Sequence, residues 1–235
     1  MSTLVFVRHA QASLFADDYD HLSRLGEQQS GELGRYFKRY GVGFDEICIG
    51  PRKRHRHTAA LAGQVCGGFA EFTEFREFDE HHVDQLVSGH LDELCEQIPH
   101  LREQRNRFHG SETSTQRQRT FAKLFESVAI LWISGRCPLF GLESWDEFRT
   151  RVCAGIDQIV KRGGSGRRVL VATSAGTIVA ALQHALQCPD ETALGLGWRI
   201  WNCSMTSFAF TEDRFTLDSF NSMTHLEDHA LWTYR

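Results

Sequence analysis

Near the N-terminus the chain reads Thr3-Leu4-Val5-Phe6-Val7-Arg8-His9-Ala10-Gln11-Ala12-Ser13. Its first five residues form a short apolar run with β-branched side chains, which predicts a buried strand. The run ends in a cation and an imidazole, Arg8 and His9, followed by small and polar residues. Because ligands of open α/β sheets bind outside the carboxyl ends of the strands, we expect this pair to face a binding crevice. The alternative is that both are simply the first solvated residues after a strand.

Strands and helices alternate after this opening run. A helical pattern begins beside the N-cap candidate Ser23 and ends near Gly41-Val42-Gly43. Residues 44–49 predict a second strand, and Gly50-Pro51 predicts the turn into a second helix. This order of elements predicts parallel pairing of the strands and therefore an α/β fold.

A third strand and a less regular region come next. Charged and apolar side chains alternate over residues 71–78, and Asp79-Glu80-His81-His82 then places acids and imidazoles at the end of the predicted strand. Two helical patterns between residues 83 and 133 flank a polar stretch. An insertion of this kind is typical of a lid that excludes water and selects substrate. We therefore predict a single domain over residues 1–235 with a lid insertion at about 79–142.

The C-terminal half contains a second sharp transition from strand to helix. Residues 168–172 predict a buried strand, Thr173-Ser174-Ala175-Gly176 predicts a tight turn, and the apolar residues that follow predict a helix. An amphipathic helix is predicted before this strand, over residues 143–159, and residues 205–220 predict an antiparallel hairpin.

Composition limits the classes of function. A chain of 235 residues with 41% hydrophobic and 24% charged residues is ordinary for a globular protein. The formal net charge of −4 gives no reason to expect nucleic acid or an anionic membrane as a partner. The apolar runs are too short for a membrane helix or a signal peptide, and the seven scattered cysteines predict reduced thiols. We expect a cytoplasmic protein, and the oligomeric state stays open.

The densest basic run is Gly50–Ala59, at the start of the second predicted helix. A helix N-terminus with arginines predicts an anion site, whereas the alternatives are a solvated helix face and a nucleic-acid patch. Because only part of a helix can face one crevice, we assign one or two arginines to a site and the rest of the run to solvent. The neighbouring histidines, including His81-His82, lack the spacing of metal ligands, so no metal or other cofactor is expected.

One interpretation of the second turn is a serine esterase. Ala172-Thr173-Ser174-Ala175-Gly176 is close to the G-x-S-x-G nucleophile elbow and lies between a predicted strand and helix. Asp218 and His225 follow Ser174 in the chain order that such enzymes use. Ala172 stands where the elbow has its first glycine, and the two partners rest on chain order alone.

The other interpretation is phosphoryl transfer through a covalent phosphohistidine. An imidazole attacks phosphorus in line, arginines neutralise the oxygens, and a carboxylic acid protonates the departing oxygen. Several motifs follow one another along the chain in a fixed order: Val7-Arg8-His9-Ala10-Gln11-Ala12-Ser13, Leu22-Ser23-x-x-Gly26-x-Gln28, Pro51-x-x-Arg54-x-x-x-Thr58-Ala59, Phe75-x-Glu77, Leu142-Glu143-Ser144-x-x-x-Phe148-x-x-Arg151-Val152, and Asn202 with Ser204, Asn221 and His225-Leu226. Through these motifs the chain resembles the histidine phosphatase superfamily, also called phosphoglycerate mutase-like, over most of its length outside residues 83–135.

The resemblance implies a three-layer αβα sandwich with a mostly parallel sheet of about six strands, one antiparallel edge and a helical lid. It also implies roles for the matching residues: His9 is the phosphoacceptor nucleophile, Arg8 and Arg54 bind the phosphoryl oxygens, and Glu77 is the general acid and later the base. The residues expected to line the substrate pocket are Gln11, Ser13, Ser174 and Ala175.

The chain departs from the family pattern at the second turn. Where the family has strand-S-H-G-G, Ser174 stands in place of the second catalytic histidine, which donates to the transferring phosphoryl group. A residue of the lid, such as His81 or His82, is one hypothesis for a substitute donor. We expect a phosphomonoesterase of reduced or specialised activity on a small phosphorylated substrate. The alternative is a protein that binds a phosphorylated ligand or inorganic phosphate without catalysis, and mutase activity is less expected than hydrolysis.

Overall fold

The opening strand is an inner strand of a six-stranded sheet. The structure is a computed structural model that describes residues 1–13, 20–69 and 71–234. The strands are β1 (Ser2–Arg8), β2 (Glu46–Ile49), β3 (Phe72–Glu74), β4 (Arg168–Thr173), β5 (Met205–Thr211) and β6 (Arg214–Ser222). The order across the sheet is β3-β2-β4-β1-β5-β6, and β3, β2, β4 and β1 pair in parallel, while the β5–β6 hairpin joins β1 in antiparallel fashion. The predicted mostly parallel sheet is therefore confirmed.

The chain contacts group the residues into two units, Met1–Glu80 with Arg151–Arg235 and His81–Thr150. The first unit holds the sheet, and the second contains most of the predicted insertion. That the second unit acts as a lid stays a prediction. The helices are α1 (Arg24–Arg39), α2 (Lys53–Cys66), α3 (Val83–Gly89), α4 (Leu91–Gln97), α5 (Leu101–His109), α6 (Ser114–Ile133), α7 (Trp145–Val160), α8 (Ala175–Leu186) and α9 (Asp190–Gly197).

Alternating side chains of β1 serve the two faces of the sheet. Val7 packs into a cluster with Leu33 and Phe37 of α1 and with small residues of α2. Phe6 points to the other face, where its ring meets Phe78 edge-on at 5.7 Å between centroids. On that side α7 packs closely, since a Cβ at Gly155 would lie 2.7 Å from the Phe78 ring. Helices therefore cover both faces, as the predicted three-layer αβα arrangement requires.

The register of β1 places the predicted site. Val7 pairs with Ala172 and Arg8 with Thr173 of β4, so both strands end at the same level. The chain after β1 continues into His9 and the chain after β4 continues into Ser174. Parallel pairing thus brings two turns that are 165 residues apart in sequence to one edge of the sheet.

The second unit has an apolar centre of its own. Its buried side chains include Leu94, Leu101, Leu124 and Trp132, and the Trp132 indole donates to the Glu143 carbonyl at 2.8 Å. Part of the stretch expected to be a polar connection is helical, because α5 extends to His109 and α6 begins at Ser114. None of the helices described is long and apolar enough to span a membrane.

Candidate active site

His9 is buried at the carboxyl end of β1 with a defined tautomer. It is 5% exposed, and its Nδ1 lies 2.8 Å from its neighbour's carbonyl oxygen, that of Ala10. Because a carbonyl oxygen only accepts, Nδ1 carries the proton and the lone pair is on Nε2. Burial, followed by the charges of Arg54, Arg8 and the nearby His55, lowers the pKa of His9 well below its usual range. The imidazole is therefore neutral near pH 7, as a nucleophile must be.

The loop after His9 is held by residues of the two following helices. The Ala10 amide donates to the Thr58 hydroxyl at 3.1 Å, and the Gln11 amide donates to the Gln29 side-chain oxygen at 2.8 Å. A Cβ at Gly26 would lie 2.1 Å from the Gln11 carbonyl oxygen, so only glycine lets α1 approach the loop this closely. These contacts explain why threonine and glycine stand at these two motif positions.

Arg54 lies in the first turn of α2 and is 5% exposed. One terminal nitrogen donates to an Asp20 carboxylate oxygen at 3.0 Å, and the other lies 3.5 Å from the Ser174 hydroxyl oxygen. Arg8 donates to the carbonyl of Ile200. Both guanidinium groups lower the pKa of His9, so two cations stand near its ring. This is the charge that a phosphoryl group on His9 would need.

Ser174 and His55 form a buried pair beside His9. The Ser174 hydroxyl oxygen and His55 Nε2 are 2.7 Å apart, and both residues are 0% exposed. Ser174 is the N-cap residue of α8, yet its side chain makes no capping hydrogen bond. Its hydroxyl is directed at the imidazole instead. The ring centroids of His55 and His9 are 5.8 Å apart.

Two acidic residues are candidates for the general acid. Glu77 lies in a 3₁₀ turn over Arg76–Phe78, and its carboxylate accepts from Gln158 of α7 at 2.8 Å. The next residue, Phe78, offers its carbonyl to the Thr173 hydroxyl at 2.7 Å, directly before Ser174. The chain that continues from this carbonyl reaches Glu80 two residues later. The role expected for Glu77 stays a prediction, and Glu80 is a second candidate by its position.

The sequence matches the profile of the histidine phosphatase superfamily (branch 1) over residues 4–223. The chain belongs to this superfamily. A search of curated proteins finds no match. Among solved structures, a mutant phosphoserine phosphatase from Entamoeba histolytica in complex with phosphoserine superposes with a TM-score of 0.66 at 18% identity, over 96% of this chain and 100% of that one. YhfR of Bacillus stearothermophilus gives 0.71 at 16%, over 97% and 100%. Mycobacterial glucosyl-3-phosphoglycerate phosphatase with inorganic phosphate gives 0.65 at 20%, over 95% and 98%.

This superfamily member differs from the sequence-based expectation at His55. The basic run apart from one or two arginines was expected to face solvent, which is wrong for His55. The reason is helical phase: His55 shares the buried face of α2 with Thr58, Ala59 and Ala62. The spacing i, i+3, i+4 and i+7 in the sequence carries this signal. The many basic side chains of the run favour a solvent-exposed assignment, so this spacing is easily missed.

In α1 the structure gives the buried contacts to Gln29, the neighbour of the predicted Gln28. Gln28 was matched to the pattern but is exposed, whereas Gln29 is fully buried and binds the loop after His9. The Gln29 amide also donates to the Leu231 carbonyl at 2.6 Å. Gln29 therefore connects the loop after His9 to the C-terminal segment.

The remaining predicted pocket residues lie near the loop and the second turn. The Gln11 side-chain oxygen accepts from the Ser23 hydroxyl at 2.7 Å, and the Ser13 amide donates to the His21 carbonyl at 2.9 Å. Ala175 is the first residue of α8. Their contact with a substrate stays a prediction.

The proposed partners of an esterase Ser174 are engaged elsewhere. Asp218 on β6 accepts from the Ser207 hydroxyl at 3.2 Å, and His225 lines a cleft of about 480 Å³ with Tyr36. The histidine that contacts the Ser174 hydroxyl is His55 rather than His225. Within residues 1–13, 20–69 and 71–234, no three His, Cys, Asp or Glu side chains are arranged to hold a metal ion.

Proposed function

We propose that this chain is a metal-independent phosphomonoesterase in which His9 Nε2 is the phosphoryl acceptor. The observation that carries the proposal is the state of His9: buried, neutral and protonated on Nδ1 through the Ala10 carbonyl. An imidazole in this state presents one lone pair and needs no base to expose it. A merely structural histidine has no need of two arginines that lower its pKa.

The reaction has two steps. Nε2 attacks phosphorus and forms the N–P bond while the bond to the alcohol oxygen breaks, and a carboxylic acid gives that oxygen its proton. The same carboxylate then removes a proton from water, whose oxygen attacks phosphorus and releases inorganic phosphate and His9. Arg8 and Arg54 offset the charge on the phosphoryl oxygens in both steps, a role that metal ions fill in many other phosphoryl-transfer enzymes.

The acid is proposed to be Glu77 or Glu80. Glu77 matches the family pattern, but its carboxylate is held by Gln158. Glu80 follows the turn whose Phe78 carbonyl contacts Thr173, beside Ser174. Substituting each by glutamine separates them, because the acid's loss lowers kcat by about 10²–10⁴-fold whereas the other change leaves it nearly constant.

The substrate class is a small phosphomonoester. Its support is the fold shared with proteins whose structures hold phosphoserine or inorganic phosphate. The chain carries a formal net charge of −4, so attraction for anions is local to the arginines rather than general. We place the protein in the cytoplasm, and its physiological substrate is to be found by screening.

Hydrolysis of 4-nitrophenyl phosphate tests the nucleophile. We expect His9→Ala to abolish turnover. When the reaction with a radiolabelled phosphomonoester is quenched in alkali, the labelled phosphoryl group should be found on His9 of the wild type and be absent from His9→Ala. His184→Ala, at the far end of α8, is the matched control and should retain the wild-type rate. Equal rates for the wild type and His9→Ala would refute the proposed mechanism.

A second candidate function is phosphate binding without turnover. The observation that favours it is Ser174, which stands where the family pattern has its second catalytic histidine. Isothermal titration with inorganic phosphate distinguishes the two. Binding that requires Arg54, together with no hydrolysis of any phosphomonoester in a broad panel, would establish the binding role.

A further inference from the structure

We propose that His55 and Ser174 together replace the second catalytic histidine, with the Ser174 hydroxyl donating to the phosphoryl group and His55 acting as the positioning residue behind it. This inference rests on the proposed phosphatase function. It assigns the missing donor to Ser174, supported by a residue of α2, and both lie within the unit that holds His9, unlike His81 or His82. The paired side chains supply a donor at the turn after β4, where the family pattern has an imidazole.

The contact itself is specific. The 2.7 Å separation of His55 Nε2 and Ser174 Oγ is that of a good hydrogen bond, and both groups are fully buried. A serine at a helix N-cap ordinarily caps the helix, but here the cap hydrogen bond is absent. The Ser174 hydroxyl therefore bonds to the His55 imidazole instead of capping α8.

Two small residues make room for the His55 ring. A Cβ at Gly50 would lie 2.4 Å from His55 Nδ1 and 2.9 Å from Cε1. On its other side the ring meets Ser174, where the family pattern has a histidine. The family pattern has serine at the position of Gly50. A glycine on one side of the ring and a serine on the other thus leave space for the buried imidazole between them.

The direction of the hydrogen bond follows from what phosphate needs. Serine has one proton, so the hydroxyl can donate to a phosphoryl oxygen only when His55 Nε2–H donates to it. A neutral imidazole carries its proton on either nitrogen. Burial, followed by the charges of Arg54 and Arg52, keeps the pKa of His55 well below its usual range, and the Gly50 backbone beside the ring acts in the opposite direction. A bound phosphoryl group therefore selects the Nε2–H tautomer. The relay runs from His55 Nε2–H to Ser174 Oγ–H to the phosphoryl oxygen.

Arg54 links this relay to the nucleophile. Its guanidinium lies 3.5 Å from the Ser174 hydroxyl oxygen and lowers the pKa of both His9 and His55. A phosphate ion bound by the Arg54 guanidinium would therefore lie next to the Ser174 hydroxyl. The guanidinium has five donors, so it can turn to the phosphoryl group while Ser174 donates beside it.

Kinetics of single and double variants on 4-nitrophenyl phosphate test the unit. We expect His55→Ala and Ser174→Ala each to lower kcat by about 10²-fold with less than about threefold change in KM, because the donor acts in the transition state. The double variant should lose no more than either single variant, since each substitution already breaks the relay. His55→Gln keeps an N–H donor and should recover about tenfold over His55→Ala.

A swap provides the positive test. Ser174→His alone places a second imidazole against His55 and should lose activity, whereas Ser174→His with His55→Ala restores the arrangement of the family pattern and should regain it. Nitrogen-15 NMR of ring-labelled protein adds a readout that packing alone would not move. Saturation with orthovanadate should leave the His55 proton on Nε2, and a proton on Nδ1 in the vanadate complex would overturn the relay.

The outcomes separate this inference from the function on which it rests. If His9→Ala is inactive while His55→Ala and Ser174→Ala match the wild type, the relay is wrong and the phosphatase stands. If His9→Ala matches the wild type, the proposed function itself fails. If Ser174→Ala alone abolishes hydrolysis of 4-nitrophenyl acetate and phosphate while His9→Ala does not, Ser174 is a nucleophile and the relay is overturned. Should His55→Ala not fold, His55→Gln and Ser174→Ala carry the same comparison.

Discussion

Replacing Gly50 by alanine should damage both stability and turnover, because the added Cβ enters space that the His55 ring fills. The Cβ would stand 2.4 Å from His55 Nδ1, 2.4 Å from the Phe78 carbonyl oxygen and 2.9 Å from His55 Cε1. Ordinary van der Waals contact begins near 3.4 Å. The two shortest contacts therefore overlap by about 1 Å with a side chain and a backbone that are both buried. Neither is the free end of a flexible chain that could move aside.

We expect Gly50→Ala to lower the free energy of unfolding by about 3 kcal/mol, at the upper end of the usual cost of overpacking. In a chain of 235 residues this corresponds to a fall in Tm of roughly 6–12 °C. Urea unfolding followed by tryptophan fluorescence measures the first quantity and calorimetry the second. The rate of 4-nitrophenyl phosphate hydrolysis should also fall, since a displacement of the His55 ring changes its 2.7 Å contact with Ser174.

A double-mutant cycle with His55→Ala isolates the contact. Removing the ring relieves two of the three short distances but leaves the Phe78 carbonyl. The coupling energy between the two substitutions should therefore be about 1–2 kcal/mol. Gly43→Ala is the control, because a Cβ there meets no atom within 4 Å, and its cost should stay below about 0.5 kcal/mol. A coupling below about 0.5 kcal/mol would show that Gly50 does not accommodate His55 and would refute the reasoning.

Three further predictions concern the support of the site and the buried histidines. Gly26→Ala should cost about 2–3 kcal/mol in unfolding free energy and lower kcat, because its Cβ would lie 2.1 Å from the Gln11 carbonyl oxygen. Thr58→Val leaves the Ala10 amide without its hydroxyl acceptor and should cost about 1–3 kcal/mol, measured by urea unfolding. Burial lowers the pKa of His225 to about 4, so the unfolded chain binds its proton below pH 6.5 while the folded chain does not. Stability present above pH 6.5 is lost as the pH falls, by about 1.4 kcal/mol per pH unit for this group down to about pH 4, and His225→Gln should remove that share of the slope.

The Gly26→Ala prediction has a matched control on the same helix, α1. A Cβ at Gly31 would meet only the end of the Arg35 side chain, at 3.5 Å, so Gly31→Ala should be neutral or stabilising by up to about 1 kcal/mol. Equal costs at Gly31 and Gly26 would mean that close approach to the loop is not the constraint. For His225, unchanged pH dependence in the variant would contradict its buried neutral state.

The mostly parallel pairing of the sheet could be predicted from the sequence because the signals are local. Apolar runs of five or six residues, each followed by a polar turn and a helical pattern, predict parallel strands without any knowledge of distant contacts. The N-cap at Ser23 is confirmed, since its hydroxyl accepts from the Gly26 amide at 3.1 Å. The short α9, by contrast, was not predicted, because eight residues that include two glycines give a weak helical signal.

The site was harder to predict because a sequence shows which residue types are present but not which way their side chains point. Arg54 and His55 are adjacent in a basic run, and only the phase of α2 shows that both are buried. Glu77 has a similar difficulty. Phe75-x-Glu77 and Phe78-x-Glu80 present the same apolar-x-acid pattern three residues apart. Glu77 lies within the 3₁₀ turn Arg76–Phe78, and it is the Phe78 carbonyl at the end of this turn that accepts from Thr173. A pattern that repeats within one turn cannot be placed by spacing alone.

The exchange at His55 also bears on the choice between catalysis and simple binding. A protein that only binds phosphate needs its arginines and gains nothing from burying a neutral imidazole, whose desolvation is unfavourable unless its nitrogens are bonded. Here the imidazole is buried completely, Nε2 is the nitrogen bonded to Ser174, and the absence of a Cβ at Gly50 leaves room for the ring. Loss of one transition-state donor costs about 2.7–4 kcal/mol, whereas ground-state anion binding tolerates it. We therefore expect a chain with this His55–Ser174 pair to be an enzyme rather than a simple phosphate binder. The fall in kcat of His55→Gln, compared with its change in phosphate affinity, tests that expectation.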